Sequence, residues 1–161
     1  MKTLGAFACV LLSMALLGCT KRSATYLIPD GMTGWFVVAF DQKEWPPLRI
    51  ENGSRVFDFQ TNSFLITSSK FEAGTVSTSY FWCDTSGVRR PLRLTLRGEG
   101  GDVWGGTTFE LNETGLRTLK GLVFYIGNER DFIQSGDYYD SCVAVVREKL
   151  GEISMGPDLN K

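Results

Sequence analysis

The stretch Leu48-Arg49-Ile50-Glu51-Asn52-Gly53-Ser54-Arg55-Val56-Phe57-Asp58-Phe59 decides the fold class of this chain. Asn52-Gly53 separates two short, largely alternating runs, Leu48–Glu51 and Arg55–Phe59. A type I′ reversal needs positive φ at both central residues, which Asn and Gly tolerate best. A chain that turns back within two residues pairs extended strands, so the segment predicts a β-hairpin.

Short apolar runs and turn residues alternate on both sides of it. Thr25–Ile28, Gly34–Phe40, Phe64–Thr67, Thr75–Cys83, Pro91–Arg97, Val103–Leu111 and Leu122–Ile126 are further candidate strands. Asp30-Gly31, Pro46-Pro47, Ala73-Gly74, Ser86-Gly87, Gly98-Glu99-Gly100-Gly101 and Gly127-Asn128 separate them, residues that turns require. Leu92-Arg93-Leu94-Thr95-Leu96-Arg97 alternates strictly, with its leucines on one face. Leu122–Ile126 is apolar throughout, the pattern of a strand covered on both sides. Asp140–Gly151 carries an Asp/Ser cap, basic residues in its last turn and a closing glycine, and reads as a short helix. Its three valines leave a strand as the alternative. The expected architecture is mainly β: an antiparallel sandwich or barrel-like single domain over residues 25–151, with that short C-terminal helix and a tail at 152–161.

The amino terminus has a different character. Lys2 precedes 14 uncharged residues, Leu4 to Leu17, and Leu16-Leu17-Gly18-Cys19 follows. The apolar run is shorter than the roughly 20 residues that a membrane-spanning helix needs, and fits the core of an export signal. Its end resembles a lipobox, the bacterial motif that directs diacylglyceryl attachment to a cysteine thiol. Residues 1–18 are therefore expected to be removed, Cys19 to carry the lipid, and residues 19–24 to form a polar tether. Each buried methylene contributes about 0.8 kcal/mol, so two or more acyl chains hold a protein stably on its membrane. Thr20, rather than Asp, follows the cysteine, as in lipoproteins sorted to the outer membrane of diderm bacteria.

The mature chain would hold 143 residues, with 16 basic and 18 acidic side chains once Lys2 is removed. That length suits one domain, and the absence of a basic excess argues against nucleic acid as a partner. Cys83 and Cys142 remain after Cys9 is discarded and Cys19 is lipidated. An exported protein favours their pairing as a disulfide, with two buried thiols as the alternative. There is no histidine, which excludes Ser-His-Asp and Cys-His nucleophilic systems and most zinc sites. Carboxylate chemistry survives, and Glu129, Asp131, Asp137 and Asp140 are its nearest candidates, for glycan cleavage or for calcium. Such groups are ordinarily solvated loops, so no catalytic residue, cofactor or metal is expected. Trp35, Trp45 and Trp104 could serve as aromatic platforms, but tryptophans in strands are mostly buried; Trp45, beside Lys43, Glu44 and Pro46-Pro47, is the one expected to be exposed. Gly98–Gly101 joins strand to strand with no following helix, so it reads as a turn rather than a phosphate cradle. Asn112-Glu113-Thr114 matches a glycosylation acceptor by coincidence.

Tyr26-Leu27-Ile28-Pro29-Asp30-Gly31-Met32-Thr33-Gly34-Trp35 resembles the opening of an uncharacterised domain family of bacterial lipoproteins. Pro46-Pro47-Leu48 and Phe124-Tyr125-Ile126-Gly127 are similar to it as well. The resemblance implies a compact extracytoplasmic domain and assigns no activity.

These readings together predict a non-enzymatic lipoprotein, held at the membrane through Cys19, whose folded surface binds another envelope protein or surface component. A carboxylate-dependent hydrolase of envelope glycan and an inhibitor or immunity-type lipoprotein are the rivals. The anchor is tested by Cys19→Ser, which should abolish palmitate labelling and detergent partitioning. Equal labelling of the variant would refute the lipobox.

Overall fold

The computed structural model describes residues 23–72, 77–94, 101–111 and 119–135, together with Ala144 and Glu148. Among the described residues the elements run in the order β1 (Ser23–Pro29), β2 (Gly34–Ala39), β3 (Arg49–Glu51), β4 (Ser54–Asp58), β5 (Phe64–Ile66), β6 (Ser77–Cys83), β7 (Arg89–Pro91), β8 (Val103–Leu111), β9 (Leu119–Ile126) and the short helix α1 (Glu129–Gln134). They form two sheets, β3-β4-β1-β6-β7 and β5-β2-β9-β8. The mainly β expectation holds, and the sheets are open rather than closed into a barrel.

The expected hairpin is there. β3 and β4 pair antiparallel, Glu51 opposite Ser54, and Asn52 and Gly53 have φ of 50° and 77°. Pro29-Asp30-Gly31-Met32 is a second tight turn, closed by the Met32 amide donating to the Pro29 carbonyl at 3.0 Å, with Gly31 at φ 76°.

The sheets are not purely antiparallel. β1 runs parallel to both β4 and β6, and β2 runs parallel to β5. The order of the strands explains this. The steps β1 to β2 and β4 to β5 each reverse direction and also change sheet, so β4 and β6 re-enter the first sheet running the same way as β1. Parallel neighbours ordinarily need a helical crossover; here a strand of the facing sheet serves.

Parallel pairing in register places like side chains shoulder to shoulder. Tyr26 lies opposite Phe57 on one side and Tyr80 on the other. Strands sit about 4.8 Å apart, close to a stacking distance, and the rings use it: Tyr26 stacks on Phe57 at 4.4 Å and on Tyr80 at 4.6 Å. From the second sheet Phe124 meets Tyr26 and Tyr80 edge-on, at 5.3 and 5.4 Å. Phe36 stacks on Phe124 at 5.6 Å and meets Phe59 edge-on at 5.0 Å. These rings, with Ile28, Val38, Phe40, Val103 and Ile126, are the core between the sheets.

A second cluster lies on the other face of β2 and β9. Val37, Ala39 and Val123 are fully buried there, with Leu119, and partly buried Trp35, Phe64, Ile66, Phe109 and Leu111 pack against them. Both faces of β2 and β9 are thus covered, as the apolar run Leu122–Ile126 predicted. Gly121 faces Phe109 across the β8–β9 ladder, and a Cβ there would come within 2.1 Å of the Phe109 ring and 2.5 Å of the Val38 carbonyl oxygen.

One expected strand needs correction. Leu92 to Leu94 do not continue as a strand: β7 ends at Pro91, with one further bond from the Leu92 amide to the Tyr80 carbonyl. Leu92 enters the core, whereas Leu94 makes a single bridge to Val103 and is 52% exposed. The Arg93 carbonyl accepts from the Asp102 and Val103 amides, and the Asp102 carboxylate accepts from the Arg93 amide. Those bonds carry the chain away from the first sheet toward the second; Thr95, Leu96 and Arg97 lie outside the described residues. The helix α1 is an addition to the expected helical segment, which is helical where it is described. Of residues 140–151, Ala144 and Glu148 are helical and exposed, and the others lie outside the described residues.

Two outcomes test this packing. Gly121→Ala should destabilise the domain by about 1–3 kcal/mol, because part of the contact is backbone that cannot swing away; an unchanged thermal midpoint would show that β8 and β9 adjust freely. Burial raises Tyr80 to about pH 12 and Tyr26 higher still, the Tyr80 neighbour adding to the effect. Tyrosines that ionise near pH 10 when unfolded thus stabilise the fold fully below pH 10, and that contribution falls as pH rises from 10 toward 12. Melting temperature should drop across that window, and Tyr26→Phe with Tyr80→Phe should flatten the drop.

Candidate functional site

Register defines two ends of the sandwich. Ser23, Ser54 and Ser77 lie side by side, so β1, β4 and β6 all start at one end. β2 and β5 finish there: the Phe40 amide donates to the Lys120 carbonyl at the start of β9. The turn at Asp30-Gly31, the Asp84–Val88 turn and α1 lie at the opposite, far end.

The far end presents apolar side chains on braced supports. Asn128 caps α1: its side-chain oxygen accepts from the Asp131 amide at 3.0 Å, and its Nδ2 donates to the Asp131 carboxylate at 2.7 Å. Phe132 then lies against Trp104 (5.7 Å), Tyr125 (5.6 Å) and Trp35 (5.9 Å), while the Trp104 indole N–H donates to the Gly127 carbonyl at 2.8 Å. Docked through Phe132, the helix leaves the next residue, Ile133, 66% exposed. Val88 is 57% exposed at the end of a turn organised by Asp84, whose carboxylate accepts from the Ser86 hydroxyl and from the Ser86 and Val88 amides. Those bonds, the Ser86 hydroxyl first, hold the Asp84 carboxyl below its ordinary range. Leu94 projects beside Val103, opposite Ile126 at the far end of β9. Charge rings this end in pairs: Arg90 with Asp30 and Arg93 with Asp102.

The near end carries one braced loop, residues 41–48. Asp41 takes φ 61°, its amide donating to the Ser69 carbonyl and its carboxylate accepting from the Phe71 amide. Thr67, the buried polar residue among those described, donates to the Pro46 carbonyl at 2.9 Å and accepts from the Ser69 amide at 3.1 Å. The Ser68 amide donates to the same Pro46 oxygen. The loop so fixed exposes Lys43, Glu44, Trp45, Pro46 and Pro47.

The residues singled out in the sequence fall into three groups. Of the three tryptophans singled out, Trp45 is 40% exposed, as expected, while Trp35 is half-buried and Trp104 is buried. Of the acidic group, Glu129 and Asp131 sit in the first turn of α1, where Asp131 is bound by the cap; Asp137 and Asp140 lie outside the described residues. No group of three metal-binding side chains occurs among the described residues. Cys83 ends β6 half-buried, as a free thiol whose sulfur lies 3.7 Å from the Asp84 carbonyl. Its expected partner Cys142, and the lipid site Cys19, lie outside the described residues. The sequence reading missed α1; the signal for it was Asn128 followed three residues later by Asp131, a capping pattern over a helix too short to show periodicity.

Residues 20–121 match a family described as "Family of unknown function (DUF6843)". That window opens directly after Cys19 and takes in the Tyr26–Trp35 string on which the resemblance rested. Among solved structures, the chain is similar to one named "Putative Lipoprotein from Bacillus anthracis", with a TM-score of 0.63 at 16% identity, over 85% of this chain and 100% of that one. At that identity the likeness concerns the fold. No curated protein matches in sequence.

The bracing of the near-end loop is tested by Thr67→Val. The change keeps the shape, leaves the Ser69 amide without its acceptor and leaves the Pro46 carbonyl with the Ser68 amide alone, at a cost of about 1–3 kcal/mol. A lower melting temperature with red-shifted tryptophan emission is expected; an unchanged midpoint would mean that water replaces the hydroxyl.

Proposed function

We propose, for a chain that belongs to the DUF6843 family of unknown function, that it is a lipid-anchored extracytoplasmic domain that holds an envelope protein at its far end, without catalysis. The observation that carries this reading is the placement of Val88, Leu94 and Ile133. Three of the five large apolar side chains that stand exposed among the described residues follow the far ends of their strands, Val88 after β6, Leu94 beside Val103 and Ile133 after β9, and Arg89 beside Val88 reaches across the first sheet to Glu51 of β3. Each of the three is held on a backbone fixed by hydrogen bonds or ring packing, so little ordering entropy opposes association. Apolar groups within a charged rim are the usual anatomy of a protein–protein contact.

The anchor rests on Cys19 and on the short uncharged run before it. No helix among the described residues is long and apolar enough to cross a membrane, and the lipid supplies the attachment. In a diderm host, Thr20 after the cysteine favours the outer membrane with the domain facing the periplasm. The similar structure from Bacillus anthracis bears a lipoprotein name, which accords with an envelope location. Glu129 and Asp131 serve the α1 terminus, so the hydrolase rival gains no support from them.

Cross-linked affinity purification from native membranes tests the reading. The triple variant Val88→Ser, Leu94→Ser, Ile133→Ser should lose at least ten-fold of the captured partner, while its melting temperature stays within a few degrees and its palmitate labelling persists. Undiminished capture of the same partner by the variant would overturn it.

A further inference from the structure

The two remaining exposed apolar side chains, Trp45 and Ile50, lie at the near end, and so does the point where the lipid tether enters the fold. We infer that the Trp45 loop rests on the bilayer to which Cys19 is attached, and that this contact sets how the domain stands on its membrane. The inference rests on the lipid-anchor reading and adds an orientation to it.

Covalent geometry makes the first part of the argument. Four Cα–Cα steps lead from Cys19 to Ser23, the first residue of β1, and however the chain is arranged they span at most about 14 Å. The start of β1 is therefore held within that distance of the lipidated sulfur, which itself lies at headgroup depth. The second part is what surrounds the start of β1. Ala24 lies opposite Arg55. The Arg55 guanidinium donates to the Lys70 carbonyl at 3.1 Å and pairs with Glu72 at 2.6 Å. The Phe71 amide, between those two, donates to Asp41 at the root of the Trp45 loop. Ile50, 61% exposed, lies opposite Arg55 on its other side. An unbroken chain of contacts thus joins the tethered residue to the loop.

The chemistry of the loop suits the place. Tryptophan, apolar over its rings and polar at one N–H, concentrates at the headgroup level of membranes. Pro46 and Pro47 have no N–H, so the exposed segment brings fewer backbone donors that lose water at the surface. Lys43 and Lys70 are exposed at this end and Asp41 and Glu44 balance them. The loop thus brings no net charge of its own, and Lys21 and Arg22 of the tether are held at the surface by the lipid on any bilayer, so the loop contact should form on zwitterionic bilayers as well.

The test uses the lipidated full-length protein reconstituted in phosphatidylcholine vesicles whose acyl chains are brominated near the headgroup. Wild type contains four tryptophans. Part of its emission should be quenched by bromine, and that quenchable part should be missing in Trp45→Phe, which alters one exposed side chain. Adding phosphatidylglycerol or salt should change the quenching by less than a factor of two. Unquenched wild-type emission, or equal quenching in the variant, overturns the orientation while flotation of the vesicles with bound protein leaves the anchor standing. Protein that fails to float with vesicles overturns both. Trp45 emission that responds to an added soluble glycan or protein, and not to brominated lipid, assigns the loop to that other ligand and overturns the inference too.

Discussion

The row Phe57–Tyr26–Tyr80 is the constraint on which the rest of this domain depends. Its rings stack because β4, β1 and β6 run parallel and in register, which holds equivalent side chains one strand spacing apart. A slip of one residue in either pairing would turn a ring to the opposite face. The row therefore fixes the register of three strands at once, and with it the common end at which all three begin. Phe124 closes the row from the facing sheet, and Phe36 of β2 and Phe59, just past the end of β4, extend the ring packing. The two tyrosine hydroxyls are enclosed with the rings, and burial is what keeps them protonated far into the alkaline range.

From that register follows the polarity of the molecule. Strands of the first sheet start where β2 and β5 finish, so one end gathers the tether, the Asn52-Gly53 turn and the Trp45 loop. The other gathers the Pro29–Met32 turn, the Asp84 turn and α1. The exposed apolar side chains are divided between these ends. A lipid at Cys19 gives that division a physical meaning, because one end is then confined near a bilayer and the other is carried away from it. Electrostatics plays a smaller part. The surface ion pairs, among them Arg49 with Glu51 and Asp58 and Arg89 with Glu51, are partly solvated, and such pairs contribute at most about 1 kcal/mol each.

Local chemistry was legible wherever one or two residues decide a conformation. Asn52-Gly53 announced its hairpin because few other dipeptides take positive φ twice. The apolar run Leu122–Ile126 announced a strand covered on both faces, and Pro46-Pro47 beside charged neighbours announced that Trp45 would be exposed. Leu92-Arg93-Leu94 misled for a definite reason. Its alternation is real, but Asp102 and Val103 bind the Arg93 backbone, and those partners are nine and ten residues away in the chain.

What the sequence by itself determined is therefore local and compositional: a β-rich domain, its tightest turns, the lipobox-like Cys19, and the chemistries that the absence of histidine rules out. Only the tertiary structure decided that the sheets are mixed and that the aromatic rings form one stack. It alone decided which end of the sandwich each exposed side chain occupies. Turn formation is governed by the φ preferences of adjacent residues, so it can be read from a few letters. Strand order and direction depend on pairings between residues 27 to 92 apart, whose entropy of closure is offset only when many contacts form together, and no short pattern records that cooperation.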